Sequence, residues 1–390
     1  MKLSNRISSL TNDGSDGWEV FYRAREMKAQ GADIVELTIG EHDVRTAPAI
    51  LDAMASAAHG GHTGYAMVPG VNALRDTVAA RITERTGVPT LRENILITPG
   101  GQSALFSTHH AVCDEGDTAL FIDPYYATYP GTINAVGAVP VAIPARAENA
   151  FQPKGADIAA VADGAKSLMI NSPNNPTGVV YTRSTLEDIA ATAIEKDLWV
   201  ISDEVYDTQV WDGEHISIRT IPGMLERTLV VGSMSKSHAM TGSRVGWVAG
   251  PKEAVDMMID LATSTTYGVP GYIQDAAHFA LNQGPAVEQA VAAPFRRRRD
   301  MTRDLLRGQN IVKMIPADGA MYVMLDQRAT GLTGEEFANR LLDTHGIAVM
   351  PGESFGRAAA GHLRVAMTIP DEAYAKALKT LLAFAAEVAA

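Results

Sequence analysis

The chain has 390 residues, with 33 basic against 45 acidic side chains and a formal net charge of −12. This acidic balance excludes the basic surface that nucleic-acid-binding proteins need. The composition, 46% hydrophobic and 20% charged, is typical of a globular enzyme and provides core for about two or three domain-sized units. There is no run of about 18 apolar residues and no signal-peptide core, so we expect a cytoplasmic protein without membrane contact.

Cysteine and histidine usage excludes further kinds of site. The single cysteine, Cys113, rules out an intrachain disulfide and a cysteine metal cluster. His109, His110 and the other histidines lack the spacing of metal ligands, so we expect no metal site. We interpret the basic run Arg296 to Arg299 as the solvated face of a helix near a domain junction, rather than as a polyanion site.

The first predicted strand of the central region, Ile95–Thr98, runs into a glycine pair. Gly100 and Gly101 would let backbone N–H groups approach an anion at the start of the following helix, where Gln102 lies. A glycine pair after a strand is weak evidence when it stands alone. We therefore treat Gly100, Gly101 and Gln102 as candidates for binding a phosphate group.

The next two strand ends place polar and aromatic groups in turns. Tyr125 and Tyr126 follow the strand that ends at Asp123, and one of the two rings can lie flat on a cofactor ring, although such aromatics are also common in cores. Two prolines and a glycine restrict the turn after the strand 167–170, so Asn175 can present its amide to a ring hydroxyl. The alternative is an ordinary Asx-Pro turn that ends a strand.

A carboxylate ends the following strand. The apolar segment 198–202 is predicted to be a buried parallel strand, and Asp203 comes directly after it. Open α/β sheets bind ligands at this end of their strands. Asp203 would hold a protonated pyridine nitrogen, and Tyr206, three residues on, would reach a ring hydroxyl.

Lys236 is the most informative residue. It ends Ser233-Met234-Ser235-Lys236 after the predicted strand 228–232, and Arg244 follows eight residues later. A lysine that forms a Schiff base needs a rigid mount and a lowered pKa, and a nearby arginine favours the neutral amine. Ser233, Ser235 and Arg244 can share a phosphate dianion, Arg244 by a bidentate pair. From these residues alone, a strand followed by a solvated basic turn remains an alternative.

Strand and helix patterns alternate between residues 95 and 250. Seven candidate strands lie there, the last at 244–249, separated in several places by helical stretches such as 184–196, and this predicts a mostly parallel sheet covered on both faces. One long helix is expected at about 285–308. The C-terminal part alternates differently and predicts an α+β unit, with strands at 321–325 and 362–366 and helices at 333–343 and 371–389.

The ordered motifs from about Leu37 to Arg364 resemble those of the fold-type-I, class I and II aminotransferases. The resemblance implies pyridoxal 5'-phosphate as cofactor and amino transfer between an amino acid and a keto acid. It implies that Lys236 forms the covalent link and moves the proton, that Asp203 pairs with the pyridinium, and that Asn175 and Tyr206 hold the ring oxygen. The remaining cofactor contacts that it implies are ring stacking by Tyr126 and phosphate binding by Gly100, Gly101, Gln102, Ser233, Ser235 and Arg244.

The same resemblance extends to substrate and partner contacts. Arg364 matches the arginine that binds the substrate α-carboxylate, and Gly40, Asn175 and Trp18 are expected beside the substrate. Tyr65 matches a tyrosine that crosses a dimer interface to the neighbour's phosphate, which implies a homodimer with shared active sites.

The resemblance also implies a domain plan. Residues 46–285 would form a large cofactor-binding domain with a mostly parallel seven-stranded sheet, and 286–308 an interdomain helix. The small domain would combine 309–390 with the arm 1–45.

Within the family, several stretches are most similar to arginine–pyruvate aminotransferases, among them those around Trp18 and Lys236. Glu41-His42-Asp43 departs from the family, because related enzymes usually have an acidic residue, proline and aspartate there. If Glu41 or Asp43 faces the substrate side chain, the site favours a cationic donor, and Trp18 would stack on a guanidinium. The alternative is that both carboxylates are solvated.

Other functions remain open at this stage. An aminotransferase for aspartate, aromatic or other amino acids would carry the same cofactor motifs, and so would a β-lyase or decarboxylase on the same fold. A cofactor-binding regulatory module of this kind carries a DNA-binding segment ahead of the cofactor domain. Too few residues precede Leu37 for such a segment.

Overall fold

A computed structural model describes residues 1–11 and 17–390, and positions 12–16 of the predicted N-terminal arm lie outside the described residues. Strand residues assemble into a seven-stranded and a five-stranded sheet. Across the described ranges the strands are β1 Val35–Leu37, β2 Ile95–Thr98, β3 Thr118–Asp123, β4 Val139–Pro144, β5 Ser167–Asn171, β6 Trp199–Asp203, β7 Thr228–Ser233, β8 Gly246–Ala249, β9 Lys313–Met314, β10 Tyr322–Asp326, β11 Ile347–Pro351 and β12 His362–Ala366.

The helices surround these sheets. In the same described ranges they are α1 Asn5–Ser8, α2 Glu19–Ala29, α3 Pro48–His59, α4 Asn72–Thr86, α5 Gly100–Val112, α6 Tyr129–Val136, α7 Gly155–Ala159, α8 Arg183–Glu195, α9 Met234–Ser237, α10 Lys252–Ser264, α11 Gly271–Leu281, α12 Pro285–Leu305, α13 Gly334–His345 and α14 Asp371–Val388. None of the described helices is long and apolar enough to cross a membrane.

The large sheet has the order β2-β8-β7-β6-β5-β3-β4, and β8 alone runs antiparallel to its neighbours. Every residue of β5 and β7 is buried, as expected for strands that are covered on both faces. Side chains of β3 alternate between two cores. Leu120 and Ile122 pack with α7 and α8, whereas Phe121 packs with α5, α6 and α10. The predicted seven-stranded, mostly parallel sheet covered on both faces is confirmed.

The small sheet, in the order β1-β11-β12-β10-β9, takes strands from both ends of the chain. β1 pairs in parallel with β11, and the other pairs are antiparallel. Local sequence signals define both ends of helix α13. Thr333 and Glu336 form a capping box at its start, and Gly346 ends the helix in a left-handed conformation. Phe295 of α12 also lies in the core of this sheet. The domain boundaries themselves remain a prediction.

Two local expectations are wrong. Arg298 and Arg299 are buried, not solvated, because acidic side chains from distant segments reach them. The strand predicted to begin at Arg244 begins at Gly246, since Arg244 adopts a left-handed backbone conformation with φ 52°. The first difference arises from contacts between segments far apart in the chain, and the second from the local backbone conformation.

Candidate active site

The carboxyl ends of β3, β5, β6 and β7 surround a cavity of about 550 Å³. Every predicted site residue lines this cavity except Gly100 and Tyr65. The predicted residues that line it are Trp18, Gly40, Gly101, Gln102, Tyr126, Asn175, Asp203, Tyr206, Ser233, Ser235, Lys236, Arg244 and Arg364.

Lys236 lies on the short helix α9, which begins where β7 ends. Ser233 caps this helix by accepting a hydrogen bond from the Ser235 N–H at 3.1 Å. The Lys236 ammonium donates to the Gly40 carbonyl at 2.5 Å. Burial lowers the pKa of Lys236, and the nearby Arg364 lowers it further. A larger share of neutral amine makes this lysine a better nucleophile than an exposed one.

Asp203 ends β6 and is 5% exposed. The Tyr129 hydroxyl donates to one carboxyl oxygen at 2.7 Å, and the Val205 N–H donates to the other at 3.3 Å. Burial raises the pKa of Asp203 to about 6. A buried carboxylate that costs this much to ionise is stabilised by a cationic ring nitrogen beside it.

Asn175 and Tyr206 belong to two hydrogen-bond networks at the cavity wall. The Asn175 N–H donates to the Asn171 side chain at 2.8 Å, which fixes the turn after β5. The hydroxyl oxygens of Tyr206 and Tyr322 are 3.2 Å apart, and both side chains are buried.

Sequence reasoning missed Asn171, Tyr129 and Tyr322, which also line the cavity. The sequence places Tyr322 only within a strand. Tyr129 has no local signal, because its role depends on the distant Asp203.

Glycines make room for the predicted phosphate ligands at the start of α5. Gly100 has φ 78°, and a side-chain carbon there would lie 2.2 Å from an Arg244 terminal nitrogen. Gly246 is equally confined, since its side-chain carbon would lie 2.9 Å from the Gly100 carbonyl carbon. The first N–H groups of α5 have no partner within the helix, and the helix dipole favours an anion there.

Gln102 and Arg244 differ in the hydrogen-bond donors that they can still direct to a phosphate. The Gln102 side chain donates to Thr132 at 2.7 Å and accepts from Thr128 at 3.0 Å, so an anion would meet its backbone N–H. Arg244 donates to the Thr241 carbonyl at 2.8 Å and lies 3.5 Å from the Ser235 hydroxyl. Its other guanidinium nitrogens remain available to a phosphate.

Arg364, on β12, is a buried cation of the cavity and is 1% exposed. It donates to the Asn175 side chain at 2.9 Å and to the Thr38 carbonyl. The guanidinium carbon lies 4.2 Å from the centroid of the Phe355 ring and 4.5 Å from that of Tyr322. No carboxylate of the described residues forms an ion pair with it, and burial lowers its pKa. This arrangement provides a subsite for an anion.

The structure separates the two loop carboxylates of the Glu41-His42-Asp43 segment. Asp43 accepts hydrogen bonds from Arg298 at 2.6 and 3.1 Å, so it is part of a buried ion pair. Glu41 lines the cavity, and its nearest cationic partner is Arg45 at 3.8 Å. Trp18 also lines the cavity, with its ring centroid 5.7 Å from the Arg364 guanidinium carbon. Glu41 is therefore the carboxylate that can meet a substrate side chain.

Tyr65 and Tyr126 are placed very differently. Tyr65 is 92% exposed and packs edge-on against Tyr267, with the ring centroids 5.1 Å apart. It does not line the cavity of its own chain, and its contact with a neighbouring subunit stays a prediction. Tyr126 lines the cavity, whereas Tyr125 packs edge-on against Phe121.

Residues 32–381 match the family model of class I and II aminotransferases. The chain belongs to this family. This aminotransferase is 38% identical over 389 residues to an arginine–pyruvate transaminase of Pseudomonas aeruginosa, covering 100% of this chain and 99% of the relative. It is also 36% identical over 384 residues to an aspartate/prephenate aminotransferase of Thermus thermophilus, covering 97% of each chain.

The fold of this aminotransferase is likewise similar to those of solved relatives. A structure of the aspartate aminotransferase of Thermus thermophilus with maleate has a TM-score of 0.91 and 34% identity, covering 97% of this chain and 98% of the other. The aromatic aminotransferase of Pyrococcus horikoshii has a TM-score of 0.87 and 31% identity, covering 93% and 99%. The predicted fold class and enzyme class are confirmed.

Proposed function

We propose that this aminotransferase uses pyridoxal 5'-phosphate to move an amino group from an amino acid to a keto acid in a ping-pong cycle. The observation that carries the proposal is the pairing of two groups in one cavity. Lys236 is a half-buried lysine with a lowered pKa, and Arg364 is a buried guanidinium without a carboxylate partner among the described residues. An α-amino acid carries an amine and a carboxylate on the same carbon, so the two groups can meet Lys236 and Arg364 in one cavity.

The residues present fit the proposed cofactor. Arg244, Ser233, Ser235 and the start of α5 form a cradle that a side chain at Gly100 would fill, which suits a phosphate. Asp203, with its raised pKa, suits a protonated pyridine nitrogen. When bound, pyridoxal 5'-phosphate would supply an electron sink for the bonds at the substrate's α-carbon.

The chain's own residues would then orient the substrate and move a proton. Arg364 binds the α-carboxylate, supported by Asn175, which accepts a hydrogen bond from the guanidinium. Lys236 holds and then transfers the α-proton, for which an amine of lowered pKa is suited. Tyr126, Tyr206 and Trp18 cover the cavity walls and limit the access of water.

The Arg364 subsite also favours amino transfer over decarboxylation. A carboxylate held by the buried Arg364 guanidinium would be fixed in place, which would leave the bond to the α-hydrogen as the one to break. A β-lyase would share this feature, so the reaction products must distinguish it.

Arginine is the proposed donor and pyruvate the proposed acceptor. Glu41 offers a carboxylate at the cavity wall that can pair with a cationic side chain. The similarity to an arginine–pyruvate transaminase supports this choice. Aspartate remains the second candidate, because other relatives are named as aspartate aminotransferases.

The proposal includes a homodimer with shared active sites. Tyr65 is 92% exposed and has an edge-on contact with Tyr267 that orients its ring. A tyrosine in this state is available to the phosphate region of a second subunit. The cytoplasmic location remains a prediction from the sequence.

A donor screen tests the proposed function. The holoprotein is incubated with each amino acid together with pyruvate or 2-oxoglutarate, and the new amino acid, ammonia and carbon dioxide are quantified. We expect stoichiometric amino transfer with arginine as the best donor. Release of ammonia or carbon dioxide without amino transfer would refute the aminotransferase proposal, and aspartate or an aromatic amino acid as best donor would refute the donor alone.

A further inference from the structure

His42 is a buried histidine beside the reactive lysine, and the proposed chemistry does not use it. It stands in the middle of Glu41-His42-Asp43. Its side chain is 4% exposed, and its Nε2 lies 2.9 Å from the Lys236 carbonyl oxygen.

The Lys236 carbonyl needs such a partner. Helix α9 comprises four residues, and the last four carbonyl groups of any helix lack an intrahelical donor. Among the described residues, the Lys236 carbonyl accepts from two side chains, His42 and Gln209, the latter at 3.2 Å. These two donors cap the helix that carries the reactive amine.

The environment fixes the state of the His42 ring. Because a carbonyl oxygen only accepts, Nε2 must carry the proton. Burial, together with the Lys236 charge, lowers the pKa of His42 to about 4 against the opposing charge of Asp43, so the ring is neutral at neutral pH. The ring packs edge-on against Phe295 at 5.3 Å between centroids.

His42 also belongs to a segment that holds both ends of Lys236. The connecting segment, residues 38–46, joins β1 of the small sheet to α3. Its Gly40 carbonyl accepts from the Lys236 ammonium, while His42 donates to the Lys236 main chain. Two residues of one segment therefore fix the head and the backbone of the same lysine.

We propose that His42 is a positioning residue that holds the Lys236 amine against the Gly40 carbonyl. The proposal rests on the proposed role of Lys236 as the reactive amine. Without the His42 donor, α9 shifts, the Lys236 amine becomes better solvated, and its protonated form is favoured. The carbonyl keeps the Gln209 contact, so the effect is graded rather than complete.

The test measures the Lys236 amine itself in the apoprotein. Trace acetylation by acetic anhydride is followed across pH by mass spectrometry of the peptide that contains Lys236. We expect the midpoint of the labelling curve to rise by about half to one pH unit in His42→Met, which removes one neutral hydrogen bond. His42→Gln should restore the wild-type midpoint, because its terminal amide can occupy the place of Nε2, whereas the shorter His42→Asn should not.

A matched control lies on the same segment. Thr46 donates to the Ala239 carbonyl at 2.7 Å, three residues beyond Lys236, so Thr46→Val removes a similar hydrogen bond without touching the lysine. We expect no shift there. An unchanged midpoint in His42→Met, or an equal shift in Thr46→Val, overturns the proposal. If His42→Met does not fold, equal midpoints for His42→Gln and His42→Asn overturn it. Absence of amino transfer with the expected shifts present would refute the proposed function and leave this coupling standing.

Discussion

Two buried arginines of this aminotransferase are used in opposite ways. Arg298, 3% exposed on α12, lies between Asp43 and Asp371, which accept hydrogen bonds at 2.6 and 2.8 Å. Arg364, 1% exposed on β12, has neutral oxygen acceptors and aromatic rings around it but no carboxylate partner in the described part of the chain. The first charge is compensated within the protein. The second has no opposite charge beside it among the described residues, and we propose that a ligand supplies the anion.

The difference distinguishes an ion pair that holds the fold from one that awaits a substrate. Removing one partner of a buried pair leaves the other charge unpaired and is strongly destabilising. Removing a buried charge that has hydrogen-bond acceptors but no opposite charge beside it relieves a desolvation cost instead. Stability and activity should therefore respond in opposite senses at the two sites, and each prediction below tests one part of this comparison.

The largest effect is expected at Lys236, the half-buried lysine of the cavity. Lys236→Ala should abolish turnover and the near-ultraviolet to visible absorbance band of the lysine-bound cofactor, because the covalent link and the proton carrier are both lost. The matched control is Lys196→Ala, since Lys196 pairs with Asp163 at the surface, at 2.8 Å. If Lys236→Ala retains most of the turnover, Lys236 is not the reactive amine.

Asp203→Asn should reduce the rate by several orders of magnitude, because the ring nitrogen would no longer be held protonated. Steady-state kinetics of the reconstituted variant measure this loss. A rate within about tenfold of the wild type would contradict the role of Asp203.

The same substitution should stabilise the apoprotein in a defined pH window. The folded pKa of Asp203, about 6, is raised above the ordinary value of 3.8, so ionisation costs stability as pH rises between these values, and the full cost applies above pH 6. An asparagine side chain does not ionise and carries no such cost. The expected gain is on the order of 3 kcal/mol in the free energy of unfolding at about pH 8 and vanishes below about pH 4. Urea unfolding of the two apoproteins measures it, and a gain that is independent of pH would contradict the explanation.

The two arginines can be compared directly. Arg298→Leu should lower the free energy of unfolding by roughly 1.5 to 3 kcal/mol, because the half-buried carboxylates of Asp43 and Asp371 lose their charge-assisted hydrogen bonds. Arg364→Leu should leave the apoprotein as stable as the wild type or more so, while kcat/KM falls by roughly a hundredfold or more. Urea unfolding and steady-state kinetics of both variants measure the contrast. Equal destabilisation by the two substitutions would contradict the claim that only the Arg298 ion pair stabilises the fold.

The smallest effect is expected at Glu41, and it sharpens the contrast with Asp43. Glu41→Gln should lower kcat/KM for arginine by roughly 1 to 3 kcal/mol of transition-state stabilisation and leave that for alanine unchanged. Asp43→Asn is the control, since Asp43 pairs with Arg298 and should alter stability rather than donor preference. An equal loss for both donors in Glu41→Gln would show that Glu41 does not select the side chain.

Much of the fold was predictable because its signals are local. The strands 95–98, 167–171 and 228–233 are short buried apolar runs, and their ends carry the turn residues that place Gly100, Asn175 and Lys236. Buried strands and turns of this kind are recognised from neighbouring residues alone. The family resemblance then placed Arg364 and Tyr65, which lack a local signal.

The remaining features depend on contacts between distant segments. The charge run at Arg298 and Arg299 gives no sign of burial, because its acidic partners lie elsewhere in the chain. Tyr129 could not be assigned, since its hydroxyl meets Asp203 only in the folded protein. His42 stands out in the sequence as a departure from the family pattern, but its contact with Lys236 is visible only in the structure.

The measurement that tests the central claim most directly compares the best donor with the amine that lacks its α-carboxylate, for arginine the amine agmatine. Both are assayed as amino donors with the wild type and with Arg364→Leu. If the unpaired guanidinium exists to bind the carboxylate, the wild type should prefer the amino acid by at least about a hundredfold in kcat/KM, and the variant should lose most of that preference. A variant that retains the full preference would show that Arg364 does not bind the substrate carboxylate and would contradict the account.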